Sequence, residues 1–77
     1  MSATIIDMEE DYRFVDVLNA DQLEVGDLIG IATEVVKIIS ISPLHYGYSL
    51  MIENNFGEKD IVEISEDDRF ELFLENF

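Results

Sequence analysis

The run TEVVKIISIS, residues 33 to 42, constrains this chain more than any other segment. Val35, Val36, Ile38, Ile39 and Ile41 are all β-branched, and such side chains lose rotamer freedom in a helix while packing well on a pleated surface. The run predicts a strand that is central and buried on both faces. Around it the same kind of signal recurs. YRFVDVLNA (12 to 20) mixes apolar and polar side chains as a strand does. YSLMIEN alternates cleanly, with Tyr48, Leu50 and Ile52 on one face and Ser49, Met51 and Glu53 on the other. DIVEIS returns from a hairpin turn at NNFGEK (54 to 59). PLHYG (43 to 47) punctuates the central strand, because Pro43 cannot continue a ladder and Gly47 allows a turn.

The stretch ADQLEVGDLIG (20 to 30) raises the question of a catalytic loop. Its residues read instead as a hinge of the fold: a turn at Asn19 to Asp21, one helical turn through Leu23, then a strand from Val25 to Ile31. Gly26 within that strand implies a bulge or a close backbone approach. Leu23, Val25 and Ile29 are expected in the core, while Gly26 and Asp27 let the chain diverge. The C-terminal SEDDRFELFLENF has two readings. Ser65 with Asp68 three residues on resembles a helix start with acids in its first turn. Phe70, Leu72 and Leu74 alternating with Glu71, Phe73 and Glu75 have a strand's period. A tight turn at 66 to 69 and a strand from 70 to 74 is preferred, with the helix as the alternative.

About five short strands with a turn at each junction predict an all-β or mainly β domain, a small antiparallel barrel or sandwich. Seventy-seven residues suffice for one domain, taken as residues 12 to 77. Residues 1 to 11, ending in DMEED, are expected to be a loosely held acidic arm able to add an edge strand. An apolar share of 48% lets the chain build a core and separates it from disordered acidic tails. No apolar run approaches the roughly 18 residues of a membrane span, and MSATIIDMEEDYR lacks the basic start and apolar centre of a secretion signal. A soluble, cytoplasmic protein is expected.

Charge restricts the partners. Eighteen acids face four bases, a formal net charge of −14, and residues 53 to 77 alone hold nine acids against two bases. A field of the same sign as phosphate repels DNA, RNA and anionic membranes, so neither direct nucleic-acid binding nor membrane binding is expected. There is no Cys and a single His, which leaves no disulfide, no thiolate nucleophile and little basis for a zinc site.

Ala-x-x-Leu-x-Val-Gly-Asp-x-Ile (Ala20 to Ile29), then Glu-Val-Val-x-Ile-x-x-Ile (Glu34 to Ile41), then two further strands, resembles the layout of SH3-like small β-barrels, including compact ones encoded by bacteria and phages. The resemblance covers most of residues 12 to 75. The Leu-x-x-Gly-Asp turn also recurs in self-splicing domains, but no Cys and no terminal His-Asn pair is present to match them. What the resemblance implies is a binding scaffold of about five strands, with no active site carried over.

No pair of carboxylates is marked for acid–base work, which needs two carboxyls held in a cleft at different pKa values; most acids fall at turns or outward positions. SEDDRFE offers oxygen ligands for Ca²⁺ but lacks the twelve-residue loop with its central glycine. His45 has no recognisable nucleophile and reads as a turn residue. No cofactor, metal or catalytic residue is therefore expected, and the chain is not expected to be an enzyme. Tyr46, Tyr48, Phe56 and Phe73 are more telling. If Phe73 and Met51 face outward they form an apolar patch of the kind that marks an interface; the alternative is a barrel buried on both sides by the N-terminal arm.

Two functions follow. The first is a protein-binding module, of the size and charge of phage-encoded inhibitors acting in the host cytoplasm, whose acids imitate a nucleic-acid backbone and occupy a basic host protein. Asp60, Glu63, Glu66, Asp67, Asp68, Glu71 and Glu75 are its binding face, helped by Phe73. The second is an assembly protein that forms a homodimer, or docks on a larger complex, through an edge strand and an apolar patch.

Overall fold

A computed structural model describes residues 12 to 75, so the expected acidic arm lies outside the described residues. Six strands follow in chain order: β1 (Tyr12–Asn19), β2 (Leu28–Ile31), β3 (Glu34–Leu44), β4 (Gly47–Glu53), β5 (Lys59–Ser65) and β6 (Arg69–Glu75), with a 3-10 turn at Ala20–Gln22 after β1. They form one antiparallel sheet in the order β1-β6-β2-β3-β4-β5. The sheet is open: among the described residues β1 and β5 each have a neighbour on one side only. No helix of the described residues is long and apolar enough to cross a membrane.

The alternating pattern explains the core. Side chains of successive strand residues leave opposite faces, and one face gathers Ile29, Val36, Ile38, Leu50, Ile52 and Ile64, joined by Ala20 and Leu23 from the turn. Ile29, Ile38 and Leu50 are fully buried; each such burial contributes about 1.5–3 kcal/mol. Leu18, Ile31, Tyr48, Val62 and Phe70 close the rim.

β3 joins the two halves of the sheet. Its residues 34 to 37 pair with β2, and its register on β4 slips between Ile38 and Ser40. An extra residue there bends the strand and raises its twist. At the bend the Ile38 N–H donates to the Asp27 carbonyl (2.9 Å) and the Gly26 N–H donates to the Ile38 carbonyl (2.8 Å). The Gly-Asp pair is thus a clamp on the central strand.

Several expectations change. There are six strands, not five. Gly26 and Val25 lie in a turn before β2 rather than inside it: Gly26 takes φ +97°, and the Asp27 carboxylate closes the turn by accepting the Glu24 N–H (2.9 Å). Val25 is consequently exposed rather than part of the core. β3 is central, with Val35 and Val36 buried on opposite faces, but its second half is largely exposed and it runs through Pro43. Beyond β2 the strand has β4 alone for a neighbour. Pro43 sits opposite Tyr48, one step from the turn-closing pair Leu44–Gly47, at a position where the ladder asks for no N–H. The preferred C-terminal reading holds, with a turn after Ser65 and β6 over Arg69–Glu75.

Two small residues mark where the backbone is tightest. Gly47 opens β4 because of crowding rather than turn conformation: a Cβ there would collide with the Ile64 carbonyl oxygen. Ala32, in the two-residue turn joining β2 to β3, takes φ +57°, a left-handed conformation that costs an L-residue about 1–2 kcal/mol. Gly47→Ala is therefore expected to lower unfolding stability by about 3 kcal/mol through forced overpacking. Ala32→Gly should raise it by about 0.5–1 kcal/mol, because relief of strain outweighs the added chain entropy. Urea midpoints of the two variants check both signs.

Candidate functional site

The seven acids expected to form one binding face fall into three groups. Asp60 and Glu63 lie on β5, the strand at one margin of the sheet, and their positions alternate across its two faces. Glu66, Asp67 and Asp68 occupy the β5–β6 turn. Glu71 and Glu75 lie on β6, opposite Val17 and Tyr12 of β1. All seven are exposed, but β2, β3 and β4 stand between β6 and β5 in the sheet.

Hydrogen bonding divides these acids further. Asp60 Oδ1 accepts the Ile61 N–H (2.8 Å), and Asp68 Oδ2 accepts the Ser65 N–H (2.9 Å). These two carboxylates are engaged in holding backbone. Glu63, Glu66, Asp67, Glu71 and Glu75 make no side-chain hydrogen bond to any described residue. None of the charged side chains among the described residues is buried, so each of these five keeps its contact with water.

The fold enlarges the turn group with two residues, Asp21 and Tyr46, that the expected binding face did not include. The Ala20 N–H donates to the Asp68 carbonyl (3.0 Å), which brings the 3-10 turn and exposed Asp21 beside the β5–β6 turn. The Glu66 N–H donates to the Tyr46 carbonyl (3.1 Å), which brings the β3–β4 turn to the same end. Tyr46 is 69% exposed there, and His45 is exposed next to it. One end of the sheet therefore brings together the turns that carry exposed Asp21, Glu66, Asp67 and Tyr46. A shared carboxylate signal in DQ and SEDD was visible along the chain, but their proximity follows only from the ladder.

The expected Phe73–Met51 patch is split. Phe73 is half-buried rather than free: its ring lies over Gly30, 3.3 Å from where a Cβ would stand, and meets Phe14 edge-on at 6.2 Å between ring centres. Met51 lies opposite Ile61 at the far side of the sheet. Two apolar strips result. Phe14, Val15, Val17 and Leu74 are exposed along β1 and β6, and Ile61 is exposed on β5. Phe56 is exposed at the tip of the β4–β5 turn, where Asn54 Oδ1 accepts the Phe56 and Glu58 N–H groups (2.9 and 3.0 Å).

An open cleft of about 320 Å³ is lined by Tyr12, Leu28, Val35, Lys37, Glu53, Asn55 and Glu75 among others. The Tyr12 hydroxyl spans it, donating to Asn55 Oδ1 (2.6 Å). Among the described residues, no group of three or more His, Asp or Glu side chains is placed to hold a metal ion. The arrangement presents charge and aromatic surface.

The division between engaged and free acids predicts their cost on removal. Asp68→Ala should destabilise by about 1 kcal/mol through the lost backbone bond, whereas Glu66→Gln should stay within about 0.5 kcal/mol of the parent, as surface changes do. Thermal or urea midpoints of the pair give the comparison. Comparison of the chain with protein-family models, with curated proteins and with solved structures finds no match in any of the three.

Proposed function

We propose that this chain is a non-catalytic protein-binding module that offers carboxylates to a basic, nucleic-acid-binding surface of a partner. The observation that carries the reading is the acidic end of the sheet, where exposed Asp21, Glu66, Asp67 and Tyr46 lie on turns tied together by backbone hydrogen bonds. Fixed, solvated charges steer an oppositely charged partner and speed its encounter, and tyrosine is among the residues enriched where interfaces bind most strongly. Glu71 and Glu75 extend the negative surface along β6. On this reading the bent sheet is a small SH3-like barrel left open between β1 and β5. Residues 1 to 11 add an acidic arm, and the chain acts in the cytoplasm, that of a host cell if a phage encodes it.

An assembly role is the second reading, favoured by the exposed apolar strips at Phe14, Val15 and Val17 and at Ile61. Salt separates the two. Immobilised chain exposed to a bacterial lysate should retain a basic nucleic-acid-binding protein that elutes in a salt gradient and is competed by duplex DNA. The quadruple variant Asp21→Asn, Glu66→Gln, Asp67→Asn, Glu71→Gln should bind that protein at least about tenfold more weakly, roughly 1.4 kcal/mol, and with a flatter salt dependence. Undiminished binding by the quadruple variant, or capture only of salt-indifferent partners or of the chain itself, would overturn the mimicry reading and favour assembly.

A further inference from the structure

We propose that Asp16 and Asp60 are matched guards that keep the two edges of the sheet, open among the described residues, from pairing with a second copy of this chain. An open edge offers unpaired N–H and C=O groups to any strand that approaches. The ladder shows which N–H groups those are. On β1, the bonded pair Ala20–Asp68 sets the alternation of an antiparallel ribbon: counting back in twos, Leu18–Phe70 and Asp16–Leu72 exchange bonds and Val17–Glu71 does not. The Val17 N–H therefore points away from β6, and Asp16 Oδ1 accepts it at 2.7 Å.

The far edge repeats the device. On β5, the Asn54 N–H to Glu58 carbonyl bond (3.0 Å) and the Glu66 N–H to Tyr46 carbonyl bond (3.1 Å) fix the alternation from both ends. Ile61 faces Met51 in a non-bonded pair, so its N–H also points outward, and Asp60 Oδ1 accepts it at 2.8 Å. Each carboxylate occupies a donor that an incoming strand needs. Each also places a charge where that strand would strip away its water, which is costly. The strand excluded is that of a second copy, because one chain carries both edges and flanks both with exposed apolar side chains: Phe14, Val15 and Val17 on β1 and Ile61 on β5. Without the guards these flanks would favour association.

The test is the mass of the full chain over a concentration series, by light scattering or sedimentation, for Asp16→Ala, Asp60→Ala, the double Ala variant and the double Asn variant. All four substitutions lie at exposed positions, and Asn keeps an oxygen able to accept the N–H. Each single Ala variant has one unguarded edge and should stop at a two-fold dimer, while the double Ala variant should run on to larger species. The double Asn variant should keep the parent's mass. Amide exchange at Val17 and Ile61 should quicken by about tenfold only where the acceptor is lost. A double Ala variant with the parent's mass at every concentration would overturn the proposal whatever the exchange rates. A double Asn variant that associates as readily as the double Ala one would support the guarding role and assign it to the charge rather than to the hydrogen bond.

Discussion

Ile38 is the position on which the rest of the fold depends. Its side chain is fully buried, its N–H and carbonyl are both held by the Asp27–Gly26 turn, and β3 changes its register on β4 immediately after it. A long β-branched strand left regular would extend a flat two-sided sheet. The extra residue at this point bends the strand, so that residues 34 to 37 pair with β2 in the half containing β6 and β1, while the remainder pairs with β4, which in turn carries β5. Gly26 and Asp27 serve this bend: glycine reaches φ +97° without the penalty of a Cβ, and the aspartate closes the turn.

An open sheet leaves two margins, and the way they are finished ties the fold to its charge. The β1 margin carries a bulge between Phe14 and Asp16, and both margins carry an aspartate bonded to the next residue's N–H. Bulges and edge charges are recognised ways of blunting sheet edges. Some of the acids are thus occupied with backbone, among them Asp16, Asp27, Asp60 and Asp68, while Glu63, Glu66, Asp67, Glu71 and Glu75 are left to solvent. This partition separates what acidity does for the chain itself from what it offers a partner.

Most strand positions were legible in the sequence, because β-branched residues and clean alternation leave little else for YSLMIEN or TEVVKIISIS to do. The errors are local and physical. Val25 is apolar and so was placed in the core, but the Asp27 carboxylate takes the Glu24 N–H and closes a turn that excludes it. The β2–β3 turn at Ala32 carries no Gly, Asn or Asp, so its positive φ has no signature in composition. Pro43 was read as a strand end because the sequence does not reveal that β2 stops pairing before it. The candidate site was half legible: the acids announce themselves, whereas the meeting of Asp21, Tyr46 and Glu66 at one end depends on two long-range backbone bonds.

The free carboxylates are carried by the fold and do not hold it together. With a net charge of −14 and no charged side chain buried among the described residues, self-repulsion should oppose the folded state. The most direct measurement is the thermal midpoint in sodium chloride from a few millimolar to about 1 M, where the screening length falls to about 3 Å. A midpoint that climbs as repulsion is screened is the predicted result. A midpoint that falls with salt would mean that charge pairs hold the structure together, and would contradict the claim.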